Sequence, residues 1–68
     1  MVKMPVILIN MVEGRTKKQK EDLIREVTKA AARAIGEPEK SFHVIIKDIP
    51  KENFGIGGVQ FSKRGHSG

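Results

Sequence analysis

Hydrophobic positions in this chain follow two different periods. Near the start, Val6-Ile7-Leu8-Ile9 is a continuous apolar run with Asn10 and Met11 behind it. A short run rich in β-branched residues predicts a strand buried on both faces, and Glu13-Gly14 breaks it. Leu23, Ile24, Val27, Ala30, Ala31, Ala34 and Ile35 then recur at steps of one, three and four. That spacing lays them along one stripe of an amphipathic helix. The boundaries of the helix are also written in the chain. Thr16-Lys17-Lys18-Gln19 fits a capping box, in which the Thr16 hydroxyl accepts from the Gln19 N–H and the Gln19 side chain reaches back. Gly36 suits a left-handed C-terminal cap and Pro38 blocks continuation. The predicted helix runs from about Lys17 to Ile35, with Glu21 and Arg25 as an i,i+4 pair on its polar side.

Phe42 to Ile49, centred on Val44-Ile45-Ile46, predicts a second strand, ended by Pro50. Two strands joined by one long helix make a βαβ unit, so they should be parallel with a right-handed crossover. Lys51 to Gly58 is predicted as a loop whose glycines permit positive φ, and Val59-Gln60-Phe61 as a short third strand. The fold class is α+β: a short βαβ unit with two parallel strands, one long helix and a short C-terminal strand or hairpin, completed by oligomerisation. Residues 5–61 form the domain, 1–4 an extension or a mis-assigned start, and 62–68 a flexible basic tail. No internal repeat is visible.

Composition explains why oligomerisation belongs in that statement. A chain of 68 residues buries only about 60% of the surface its unfolded form exposes, which leaves a free-standing core marginal. There is no Cys to form a disulfide. His43 and His66 lie far apart and have no ligand-spaced partner, so no metal is expected. Two parallel strands with one helix also leave a sheet edge and a sheet face uncovered. Neighbouring subunits are the remaining device.

The formal net charge of +5 favours anionic partners. Without Tyr or Trp, and without one long basic run, a stacking platform for single strands is poorly supported. No nucleic-acid partner is expected, and small carboxylates fit better. The first apolar run is too short for a membrane span, and no signal peptide is visible, so the chain reads as cytoplasmic with no membrane partner.

Three segments carry a resemblance. Met4-Pro5-Val6-Ile7 opens the first strand, Glu13-Gly14-Arg15-Thr16 precedes the helix, and Asn53-Phe54-Gly55-Ile56-Gly57-Gly58 follows the second strand. In this order and at this spacing, from Pro5 to about Lys63, the chain resembles the 4-oxalocrotonate tautomerase family. The resemblance implies a βαβ unit assembled into dimers and a hexamer built as a trimer of dimers. It implies a cofactor-independent enzyme that moves a proton between carbons of unsaturated 2-oxo or 2-hydroxy dicarboxylates. An N-terminal proline at Pro5 would be the base, Arg15 would bind a carboxylate, and Phe54 would line an apolar pocket. Where the family carries a second arginine, supplied by a neighbouring subunit, this chain has His43.

The residue chemistry is consistent with those roles. A terminal proline is a secondary amine with a lone pair, which an internal proline amide lacks. Apolar surroundings and a nearby cation disfavour its protonated form, so a neutral base can exist near neutral pH. A guanidinium grips a planar carboxylate through two parallel N–H bonds. An imidazole at position 43 could donate to a 2-oxygen, although it is shorter than a guanidinium and only partly charged near neutral pH. Arg25, Arg33 and Lys47 are other cations that could stand in. Blander roles exist for each residue. A proline often merely opens a strand, a pre-helical arginine is often solvated, His43 could be an ordinary strand histidine, and Phe54 could plug an oligomer core.

Met1-Val2-Lys3-Met4 ahead of Pro5 departs from the pattern. With these residues attached the Pro5 nitrogen is an amide. Either translation starts at Met4, which is then trimmed, or the chain is a catalytically blocked relative acting as an oligomeric binding or scaffold protein.

Overall fold

The computed structural model describes residues 4–63. Met1 to Lys3, and the part of the basic tail from Arg64 onward, which includes His66, lie outside the described residues. Strand β1 (Val6–Val12) leads to helix α1 (Lys17–Ile35), strand β2 (His43–Ile49) and a hairpin of β3 (Gly55–Ile56) and β4 (Val59–Gln60). Strands β1 and β2 are parallel, in a register that pairs Val6 with His43, Leu8 with Ile45 and Val12 with Ile49. The βαβ reading therefore stands. Among the described residues, no helix is long and apolar enough to cross a membrane.

Local chemistry sets the ends of α1 as expected. The Thr16 hydroxyl accepts from the Gln19 N–H at 3.1 Å, and the Thr16 N–H donates to the Gln19 side chain at 2.9 Å. Gly36 closes the helix with φ 73° and donates its N–H to the Ala32 carbonyl. The polar face differs from expectation. Arg25 Nη1 bonds Asp22 at 3.0 Å, one turn back, and its Nε reaches Glu26 at 3.4 Å, so the expected pairing with Glu21 gives way to a nearer carboxylate. Lys18, first, and then Arg25 donate to Asp22 and hold its carboxyl below the ordinary aspartate range.

Strand β1 was expected to be covered on both faces only once neighbouring subunits complete the fold, and in the single chain exposure alternates along it: Ile7 and Ile9 are half-buried while Val6 and Leu8 are 60% and 56% exposed. On β2, Val44 and Ile46 are half-buried and Ile45 is 51% exposed. Successive strand residues face opposite ways, and a single helix covers one face. Helix α1 packs against β2 on the Val44–Ile46–Asp48 side, where Lys20 of α1 forms an ion pair with Asp48. The opposite face carries Val6, Leu8 and Ile45 in the open, flanked by His43, Asn10 and Lys47. Among the described residues none is fully buried. The helical stripe also exceeds its cover. Leu23, Val27 and Ala31 are half-buried, but Ala30, Ala34 and Ile35 are exposed. Ile24, early in the helix, is exposed as well.

The C-terminal segment is more ordered than a loop and one strand. Phe42 closes a short 3₁₀ turn over Glu39–Ser41, so β2 begins at His43. Lys51–Asn53 forms a second 3₁₀ turn after Pro50. Gly57 and Gly58, with φ 60° and 85°, make the two-residue turn of the β3–β4 hairpin. The hairpin places β4 on Val59–Gln60, and Phe61 starts a third 3₁₀ turn that reaches Lys63.

Candidate active site

Parallel pairing puts the starts of β1 and β2 side by side. The Pro5 carbonyl accepts the His43 N–H at 3.0 Å, one rung before Val6 and His43 align. Pro5 is half-buried and the His43 side chain is exposed. A proline ring and an imidazole therefore share one end of the sheet.

Arg15 belongs to the other end. The β1–β2 ladder extends past Val12 through the Glu13 N–H, which donates to the Ile49 carbonyl at 2.9 Å. Gly14 then turns the chain with φ 132°, a value that suits a residue without Cβ. Arg15 follows, immediately before the Thr16 cap. Its Nη1 is 3.5 Å from the Val12 carbonyl, too far for a strong bond, and the side chain is exposed. The guanidinium is thus available to a ligand.

Phe54 hangs from that same end. The Glu13 carboxylate accepts the Lys51 N–H at 3.3 Å, which joins the β1 exit to the turn after β2. Phe54 leaves this turn in extended conformation and is half-buried. Its ring meets Phe61 edge to face, with centroids 5.7 Å apart and planes at 68°. Sequence reasoning overlooked Phe61. The turn Gly57-Gly58 lies midway between the two phenylalanines, and that symmetry was the signal that would have paired them.

Within one chain, then, the candidates form two groups. Pro5 and His43 stand at one end of the β1–β2 pair, and Arg15 and Phe54 at the other. The 7 residues of β1 separate the groups by roughly 20 Å. Among the other cations, Arg25 is held by Asp22 and Glu26 on the outer helix surface. Lys47 lies on the open sheet face opposite Asn10, and Arg33 is exposed in the last turn of α1. None of the three stands at the Pro5 rung. Among the described residues, no three His, Cys, Asp or Glu side chains gather as metal ligands would.

Comparison with known proteins gives a consistent result. The family model described as tautomerase enzyme matches residues 5–64. The chain is 51% identical over 55 residues to the 2-hydroxymuconate tautomerase of Stutzerimonas stutzeri, covering 81% of this chain and 87% of that one. It is 47% identical over 60 residues to the Pseudomonas putida enzyme of the same name, covering 88% and 95%. Among solved structures, a 4-oxalocrotonate tautomerase isozyme from Methylibium petroleiphilum superposes with a TM-score of 0.87 at 45% identity, over 91% of this chain and 100% of that one. A heterohexameric 4-oxalocrotonate tautomerase from Chloroflexus aurantiacus superposes with a TM-score of 0.86 at 33% identity, over 90% and 98%.

Proposed function

The chain belongs to the tautomerase family, and from that premise we propose that it isomerises an unsaturated 2-hydroxy or 2-oxo dicarboxylate, with the amine of an N-terminal Pro5 as the base. The family match beginning at Pro5 and relatives named for 2-hydroxymuconate support this reading. The observation that carries it is the position of Pro5: half-buried at the mouth of a strand, with its carbonyl held by the His43 N–H.

The reaction moves one proton and needs no redox partner. A carbon beside a 2-oxo group is acidic because the electron pair left behind spreads onto the 2-oxygen. The neutral Pro5 amine takes that proton and becomes an ammonium. It returns the proton two carbons along the conjugated chain, and the 2-oxo group re-forms. Arg15 holds a carboxylate through two N–H bonds. His43 donates toward the 2-oxygen, where negative charge develops. Phe54 supplies an apolar wall that limits water. Holding the dienolate over one amine removes orientational entropy from both transfers.

One chain cannot assemble this site, because Arg15 and Phe54 stand a strand length from Pro5. Antiparallel approach of a second chain brings its Arg15–Phe54 end to the first chain's Pro5. This separation supports a homo-oligomer, and the family resemblance supplies its form, a hexamer built as a trimer of dimers. The open face of Val6, Leu8 and Ile45, and the lack of any fully buried residue among those described, support this assembly.

The test uses a chain whose first residue is Pro5. It should ketonise 2-hydroxymuconate, and Pro5→Ala should lower kcat by about 100-fold or more, the usual contribution of a positioned base. Equal rates in the two proteins would remove the assignment. Met4 sets the second reading. Where it stays joined to Pro5 the nitrogen is an amide, and the protein is an oligomeric binding relative without catalysis. Mass spectrometry of the N-terminus of protein made from the native gene separates the two.

A further inference from the structure

We infer that Phe61 is a positioning residue that sets the angle of the Phe54 ring in the apolar wall of the active site; this rests on the role proposed above for Phe54. The hairpin register pairs Gly55 with Gln60 and Ile56 with Val59. One further rung places Phe54 opposite Phe61, and the Phe61 N–H closes that rung onto the Phe54 carbonyl at 2.6 Å. Residues directly opposite on an antiparallel pair project to the same face. The two rings accordingly meet at 5.7 Å and 68°, the edge-to-face arrangement that aromatic quadrupoles favour.

The hairpin alone gives this ring little support. The hairpin has 2 residues in each strand, and so short a ribbon has almost no stability of its own. Gln60 ties its backbone to the preceding turn by donating Nε2–H to the Glu52 carbonyl at 2.8 Å. That bond anchors the ribbon and leaves the Phe54 side-chain torsions free. The Phe61 ring restricts them, because the edge-to-face contact favours a limited range of Phe54 ring angles. An aliphatic side chain at position 61 fills the space without selecting the angle. The ring angle matters to a flat, conjugated substrate lying against Phe54, so Phe61 acts on substrate through Phe54 without touching it.

A double-mutant cycle on the chain beginning at Pro5, assayed with 2-hydroxymuconate, tests this. Phe61→Ala should lower kcat/KM by between about two- and tenfold, the equivalent of one lost aromatic pair, with the loss mainly in KM. Phe61→Tyr, which keeps the ring, should retain the parent value. In a Phe54→Ala background, Phe61→Ala should have almost no further effect. Equal losses in both backgrounds, or a fall in kcat at constant KM, would mean that Phe61 serves assembly alone and would overturn the inference; no loss in either background overturns it too. If Phe61→Ala fails to assemble by sedimentation, Phe61→Leu, which keeps the bulk, takes its place under the same criteria. An inactive parent chain would sink the reading of the site itself, whereas an active parent with an additive cycle would sink only the role of Phe61.

Discussion

His43 donates its backbone N–H to the Pro5 carbonyl across 3.0 Å, so the bond that seats the proposed base uses none of the imidazole. Position 43 can therefore change its side chain without loosening Pro5. His43→Ala should alter stability by no more than about 0.5 kcal/mol, as an exposed substitution does. The same variant should lose about ten- to a hundredfold in kcat/KM, the effect of removing a hydrogen bond to a developing charge. Thermal melts and steady-state kinetics on one preparation check both. A large fall in melting temperature with unchanged kinetics would assign His43 to the strand and not to the substrate.

The separation of Arg15 from Pro5 predicts complementation. Pro5→Ala and Arg15→Ala homo-oligomers should each be nearly inactive. Denatured together and refolded as mixed assemblies, they should recover about a quarter of parental activity, because random association gives that share of sites both intact residues. No recovery from well-assembled mixtures would place both residues of a site in one chain and contradict the geometry.

The open sheet face predicts sensitivity to charge. Leu8 and Ile45 are paired in the register and both more than half exposed in the single chain. Burying a leucine side chain contributes about 1.5–3 kcal/mol, and a carboxylate in its place adds a desolvation cost. Leu8→Asp should therefore dissociate the assembly at micromolar concentration and lower its melting temperature, as read by sedimentation equilibrium and calorimetry. A fully assembled Leu8→Asp protein would show that this face stays in water.

The cap at Thr16 sits next to Arg15 and predicts a coupled effect. Thr16→Ala removes the acceptor for the Gln19 N–H and should cost about 1 kcal/mol of stability. Because the cap also sets where the chain leaves the Gly14 turn, KM for a dicarboxylate should rise while kcat changes little. Denaturant melts and kinetics separate the two consequences. A rise in KM without loss of stability would put the effect on Arg15 alone.

The helix could be read from the chain almost to the residue, because its determinants are local. A capping box spans four positions, Gly36 needs only its own backbone freedom, and the apolar stripe repeats within a few turns. The parallel strands followed from their length and from the long helix between them. Cover was legible from the count of elements and not from the run itself: Val6-Ile7-Leu8-Ile9 is equally apolar on both faces, and one helix for two strands leaves a sheet face to a neighbouring subunit. The Arg25 partner was missed, since Glu21 and Asp22 both lie within reach and the side chain takes Asp22.

The site divides in the same way. Three motifs resembling a known family supplied Pro5, Arg15, His43 and Phe54 as candidates, and the chemistry of a secondary amine, a guanidinium, an imidazole and an aromatic ring is consistent with the roles that resemblance implies. Their relative positions were decided in three dimensions. Parallel pairing seats His43 beside Pro5, the length of β1 carries Arg15 and Phe54 to the far end, and the hairpin turn brings Phe61 onto Phe54. Spacing along a chain does not determine distance across a sheet, because hydrogen-bond register and strand direction together set which residues meet.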